Sequence, residues 1–244
     1  MPAARLQLEV LSHIARLWCP APSRILDLGC GNGILGRALS GVFPAAHVVF
    51  ADFSDPMLDA ARKILGQEPR ATVVKADFAS PAWLEAVGGK PPFDIVVSGF
   101  AIHHQPDKRK KQLYAEIFDI LAPSGAFLNL EHVASVSKAG EELFDEFFID
   151  HLWDFHRSSG RAQTRENVAS TYHNRPDRKE NILATVEEQC RWLRRIGFAD
   201  VDCFLKVFEL ALFGGRKASH IIPVLGGGIA ARGCHRSAVG AAYL

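Results

Sequence analysis

The sequence predicts an α/β fold: a doubly wound, mostly parallel seven-stranded sheet with an antiparallel final strand and a helical insertion. Three observations predict it. Short apolar runs alternate with stretches of helical period through residues 24–130. The run FDIVVS at 93–98 is almost wholly apolar, as a parallel strand covered on both faces must be. Gly29, Gly31 and Gly33 follow the first apolar run, at the strand end where such a sheet meets its ligands.

The elements follow in order. Residues 4–18 place Leu6, Val10, Ile14 and Leu17 at helical spacing, and Pro20 and Pro22 end that helix. Strands are expected at 24–28, 47–51, 71–75, 93–98 and 126–130. Helices are expected from the glycine loop to about 40, from Asp55-Pro56 to about 65, and over 107–121. Residues 138–184 are too long for an ordinary connection and read as a lid-like insertion. Its first part, 141–155, is amphipathic, with Leu143, Phe144, Phe147, Phe148 and Leu152 on one stripe. Its second part, 157–181, is polar, with too few apolar residues to anchor itself, and reads as a mobile lid or as a plain solvated loop. Thr185 and Glu188 form a capping box that opens a helix closed by Gly197. Tightly joined strands at 201–206 and 208–213 complete the domain, 1–217 with its N-terminal helix 1–19. Residues 218–244 are rich in small residues without amphipathic period, and a disordered tail is expected there.

Composition excludes several classes. The 244 residues carry 28 Lys+Arg against 27 Asp+Glu, a net charge of +1, and no excess of positive charge for nucleic acid. No apolar run is long enough to span a bilayer. Arg5, Glu9, His13 and Arg16 interrupt any secretory apolar region, and Glu9 disfavours a transit peptide. The five cysteines include no CxxC pair, so a reducing, cytoplasmic setting is expected rather than a disulfide or zinc framework. The histidines are too dispersed for a metal site, so no metal is expected. The run 108–111 (KRKK) reads as a solvated helix face. A monomer or homodimer without membrane or nucleic-acid partners is the expected state.

The sharpest chemical signal is the loop DLGCGNG at 27–33. Residues 31–36 fit GxGxxG, with Asp52 downstream as a ribose acid, which is the dinucleotide pattern. The loop also carries Asp27 just before its first glycine. A carboxylate there crowds a pyrophosphate but suits a ligand with a cationic amino-acid end and a nucleoside at the other. Asp27, Asp52, Asp77 and the stretch 98–100 all fall at expected strand ends.

These motifs resemble those of class I S-adenosylmethionine-dependent methyltransferases, over roughly 20–135 and 185–215. The resemblance implies a Rossmann-like sheet that binds S-adenosyl-L-methionine and releases S-adenosyl-L-homocysteine after in-line methyl transfer to a small molecule. It implies that Asp27, Gly29, Cys30, Gly31 and Gly33 face the methionine part. It implies that Asp52 holds the ribose hydroxyls and that Phe53 flanks adenine, with Met57 in the same motif. Asp77 would accept from the adenine amine beside Phe78. Ser98, Gly99 and Phe100, within 93–104, would line the methyl-transfer end, where His103 and His104 are candidate bases.

The stretches 140–144, 175–182 and 208–217 also resemble carboxy-S-adenosylmethionine synthase, a relative that modifies the cofactor itself. There an arginine holds the cofactor carboxylate; here Pro176 stands near that position, flanked by Arg175 and Arg178. A non-catalytic cofactor-binding protein is a further alternative. Trp153, Tyr172, Arg175 and Arg178 are candidates for acceptor contact in the insertion, with Arg161 and Arg165 as further cations, and His151 and His156 as further pocket residues.

Overall fold

A computed structural model describes residues 3–89 and 92–219. The expected tail lies outside these residues, apart from its first two positions.

Helix α1 (Ala4–Trp18) precedes strand β1 (Arg24–Leu28), and the chain then alternates α2 (Ile34–Val42), β2 (His47–Asp52), α3 (Asp55–Leu65) and β3 (Ala71–Lys75). A short helix α4 (Trp83–Ala86), strand β4 (Phe93–Gly99), a 3-10 turn (Ile102–His104), α5 (Asp107–Ile120) and β5 (Leu121–His132) follow. The insertion comprises α6 (Lys138–Ser158), α7 (Arg165–His173) and a 3-10 turn (Pro176–Glu180). Helix α8 (Val186–Ile196) leads to β6 (Ala199–Val207) and β7 (Leu210–Arg216).

The seven strands run in the order β3-β2-β1-β4-β5-β7-β6, with β7 antiparallel to both its neighbours. The order reverses direction between β1 and β4. Their carboxyl ends form the crevice where open α/β sheets bind ligands.

Alternation along the strands divides the core in two. Leu26 and Leu28 of β1 face Trp83, Leu113, Ile117 and Leu193, beneath α4, α5 and α8. Ile25 faces Leu11, Leu35, Leu39 and Leu58, beneath α1, α2 and α3. Each face buries a continuous apolar layer, so the sheet tolerates no slip of register.

The structure departs from expectation where tertiary partners decide. Strand β5 begins at Leu121 rather than at the expected 126, because Leu121 pairs with Phe93 before a register shift. The polar segment 157–181 does anchor itself. Val168 and Tyr172, four residues apart on α7, pack on Ile149 of α6 with Phe148 and Leu152 around them. The Tyr172 hydroxyl donates to Asp145 at 2.8 Å.

The stripe of α6 is also split. Phe144 is buried, whereas Leu143 is exposed and Phe147 meets the Phe208 ring at 5.2 Å. The basic run at 108–111 is not wholly solvated either. Arg109 and Lys110 are buried, Arg109 donating to the Phe78 carbonyl and to both oxygens of Glu116, and Lys110 to the Ile182 carbonyl.

Candidate active site

The loop after β1 turns the chain sharply beneath α2. Gly29 adopts φ +68°, and a Cβ there would stand 2.4 Å from the Ala101 Cβ, so only glycine lets the loops after β1 and β4 meet. Gly36 is demanded by packing: a Cβ would stand 2.3 Å from the Phe50 ring and 2.9 Å from Asp27 Oδ2. That contact explains the local design. The Gly36 N–H, in the first turn of α2, donates to Asp27 Oδ2 at 2.7 Å. Burial nevertheless pushes the Asp27 carboxyl up to about 7, with the Asp52 charge adding to the shift.

Asp52 ends β2 and is buried at 6% exposure. Its Oδ2 accepts from the Gly31 N–H and its Oδ1 from the Ser54 N–H, both at 2.8 Å. The acid therefore pins the glycine loop to the next βα turn. Asp77 is exposed after β3 and caps its own turn through the Ala79 N–H. The Phe78 carbonyl accepts from buried Arg109 at 2.8 Å, which fixes the backbone beside it.

These residues surround a cavity of about 770 Å³ lined by four acidic residues, Asp27, Asp52, Asp77 and Glu180, with Gly29, Cys30 and Gly31. Phe53, Met57, Phe78, Gly99 and Phe100 also line it, and α1 contributes Ala4, Gln7 and Leu8. Phe53 is 63% exposed and Met57 49%, so both stand at the rim. Burial and the two neighbouring acids push the Cys30 thiol up, so it stays protonated.

Some expected cofactor residues take structural roles instead. Ser98 is fully buried, donates to the Leu28 carbonyl at 2.7 Å and does not line the cavity. Gly33 serves as the N-cap of α2, packed on Phe50, outside the lining.

A second cavity of about 590 Å³ adjoins the first, and Phe100 and His104 line both. Phe100 holds φ +51° while its N–H donates to the Leu130 carbonyl, a strained setting for an aromatic residue at the wall between cavities. His103 opens into the second cavity rather than the first. Behind it lies Glu131, fully buried at the end of β5. Glu131 accepts from the N–H groups of Ile102, His103 and His132, and its Oε1 lies 2.6 Å from His103 Nδ1. His132 repeats the arrangement, its Nε2 lying 2.9 Å from Glu209. Burial, with the His103 charge next, holds the His104 pKa below its ordinary value.

Sequence reasoning missed Glu131, His132 and Glu209. The available signal was an acid closing the apolar run 126–130, followed directly by a histidine.

The insertion's candidates separate. Tyr172 and Arg175 line the second cavity, with the Arg175 guanidinium 4.2 Å from the Tyr172 ring centre. Arg178 is held by Asp145 at 2.9 Å and Glu141 at 3.3 Å, and Trp153 stacks with Arg157; neither lines the two cavities. Arg165 is bound to Glu146 and Asp150 on α6. Among the described residues, no cluster of three metal-ligating side chains occurs.

Residues 25–125 match the family described as a methyltransferase domain. Over these residues, from β1 into β5, the chain is similar to a methyltransferase domain. The chain is 29% identical over 185 residues to a demethylmenaquinone methyltransferase of Clavibacter sepedonicus, covering 75% of this chain and 68% of that one. It is 37% identical over 112 residues to a trans-aconitate 2-methyltransferase of Variovorax paradoxus, covering 46% of this chain and 39% of that one. An O-methyltransferase family protein from Burkholderia thailandensis superposes with a TM-score of 0.63 at 16% identity, covering 89% of this chain and 57% of that one. At that identity the likeness speaks for the fold. The chain thus spans less than two thirds of the length of several relatives that it matches. The cofactor of the family is S-adenosylmethionine, and the glycine cradle, the acids and the rim of the first cavity fit it.

Proposed function

We propose that this protein transfers the methyl group of S-adenosyl-L-methionine to a small-molecule acceptor. The observation that carries this reading is the first cavity. Its glycine loop and its acids converge at the carboxyl ends of β1, β2 and β3, in the motif order of the family.

The cofactor supplies an electrophilic methyl group on a sulfonium. This chain's residues bind and orient it. Asp52 would hold the ribose hydroxyls while keeping the Gly31 and Ser54 amides. Asp77 and the Phe78 backbone would read adenine, with Phe53 and Met57 closing the rim. Asp27 and the loop from Gly29 to Gly31 would face the cationic methionine end. Displacement of this kind needs alignment and exclusion of water more than acid help on the leaving group. Helix α1, through Ala4, Gln7 and Leu8, covers part of the cavity and serves that exclusion.

The curated relatives act on trans-aconitate, demethylmenaquinone and malonyl-acyl carrier protein by their names, which supports methyl transfer over carboxylation of the cofactor. Arg178 is occupied by Asp145 and Glu141, which also weighs against its holding a cofactor carboxylate. Among the described residues no helix is long and apolar enough to cross a membrane, and we infer a cytoplasmic setting. Transfer of an isotope-labelled methyl group from the cofactor to a panel of small acids, phenols and amines tests the function. Protein-dependent label on an acceptor supports it; label that never leaves the bound cofactor overturns it.

A further inference from the structure

We propose that the second cavity is the acceptor site, that it takes a planar acceptor bearing a weakly acidic hydroxyl of the phenol or enol class, and that His103 is its base with Glu131 as the positioning residue. The proposal rests on the reading of the first cavity as the S-adenosylmethionine site.

Continuity comes first. Phe100 and His104 form a wall common to both cavities, so a ligand in the second lies against the expected methyl-transfer end of the first. The base comes next. Three backbone N–H groups hold Glu131 in place, at 2.9–3.1 Å, and its Oε1 lies 2.6 Å from His103 Nδ1. A carboxylate so held makes Nδ1 the protonated ring nitrogen. Nε2 is then the lone-pair site. No described residue hydrogen-bonds it, and the ring stands in the cavity lining.

The walls then select the acceptor. Phe144, Phe148, Leu152 and Tyr172 give the cavity flat apolar faces, with the Phe148 and Tyr172 rings 5.4 Å apart. Such faces suit a planar ring. An acceptor carboxylate is already a nucleophile and needs no base. Two buried acids, Glu131 and Glu209, stand behind His103 and His132 and oppose a second fixed anion. A hydroxyl that arrives neutral and gives its proton to His103 inside the cavity, so that no net anion is buried, fits both facts.

The acceptor O–H bond breaks and its proton goes to His103 Nε2. The oxygen forms the O–CH3 bond with its own electron pair. The S–CH3 electrons stay on sulfur, which becomes a neutral thioether, and the positive charge ends on the imidazolium beside Glu131. Groups that bear on this proton are His104 on the same turn, Glu131 and His132 on β5, Glu209 before β7 and Tyr114 on α5. His156 and Arg175 line the same cavity from the insertion.

The test uses 4-nitrophenol, whose anion absorbs visible light and whose neutral form does not. Titrated into the wild-type protein at a pH where the free probe is mostly neutral, it should bind and develop the anion band. His103→Asn should abolish that band, and Glu131→Gln should reduce it. Methylation of the probe should fall about 100-fold or more in His103→Asn, the range of a lost general base. Calorimetric affinity for S-adenosylmethionine should stay within about twofold in both variants, showing that they fold and that the first cavity is intact. Normal cofactor binding with no anion band, or a band that persists in His103→Asn, overturns the proposal alone. Tighter binding of 4-nitrobenzoate than of 4-nitrophenol overturns the acceptor class. Absence of cofactor binding to the wild-type protein overturns the cofactor reading and the proposal with it.

Discussion

Asp52→Ala is the substitution that tests the cofactor site most sharply. The carboxylate is buried, and each of its oxygens already accepts one backbone N–H at 2.8 Å, from Gly31 and from Ser54. Each oxygen keeps further lone-pair capacity, which the reading assigns to the two ribose hydroxyls. A hydrogen bond to a charged acceptor contributes about 1.5–3 kcal/mol. Losing even one such bond net weakens binding about tenfold, and losing both approaches 100-fold or more. The glycine loop also loses its tie to β2, which adds to the loss. In the free protein, two stranded amides at the edge of a water-accessible cavity cost about 1 kcal/mol each at the lower end. A domain of this size then melts roughly 4–8 °C lower. Isothermal titration of S-adenosylmethionine into wild type and variant reads the affinity, and scanning fluorimetry reads the melt. Asp52→Asn should fall between the two, because one acceptor oxygen survives. An affinity within twofold of wild type in Asp52→Ala would refute the reasoning.

Asp27, whose carboxyl is pushed up to about 7 from an ordinary 3.8, retains a proton in the free fold that the unfolded chain has lost. The free protein should therefore lose stability as pH rises from about 4 to about 7, while affinity for a cationic cofactor rises over the upper part of that window. Melts at several pH values and calorimetry in buffers of different ionisation enthalpy check this, and Asp27→Asn should flatten both. Gly36→Ala places a methyl 2.3 Å from the Phe50 ring and 2.9 Å from Asp27 Oδ2, so it should cost about 1–3 kcal/mol and weaken cofactor binding; chemical denaturation reads the cost. Arg109→Met leaves Glu116 with only the Trp83 indole N–H as donor and releases the Phe78 carbonyl, and should lower stability by about 1–3 kcal/mol, visible as a lower melting temperature. Limited trypsin digestion should cut first near exposed Arg161, between α6 and α7, and 4-nitrophenol in the second cavity should slow cleavage in the segment 157–181.

The strand pattern of this fold was legible because each strand of the parallel core is its own apolar signal. The helix 186–196 was legible from both ends: the Thr185 hydroxyl accepts from the Glu188 N–H, and Gly197 takes φ +119°. What was not legible needed a partner distant in sequence. Val168 and Tyr172 look too few to anchor a helix until α6 supplies Ile149 and Phe148. Arg109 and Lys110 look solvated until Glu116 and the carbonyls of Phe78 and Ile182 receive them. The site divides along the same line. Asp27, Asp52 and the glycine loop lie within 26 residues of one another in a known motif order, counted from Asp27 to Asp52. Glu131 reaches His103 across 28 positions and carries no motif of its own, so only the fold reveals it. Ser98 sits at the expected strand end, yet its hydroxyl is spent joining β4 to β1, which spacing does not tell.

The central claim is that the cavity above β1, β2 and β3 is built for S-adenosylmethionine rather than for a dinucleotide. Native mass spectrometry of the intact protein with equal concentrations of S-adenosylmethionine and NAD measures that choice directly. The account predicts a single complex with S-adenosylmethionine, lost in Asp52→Ala, and no NAD adduct. A stable NAD complex, or no retention of S-adenosylmethionine by the wild-type protein, would contradict it.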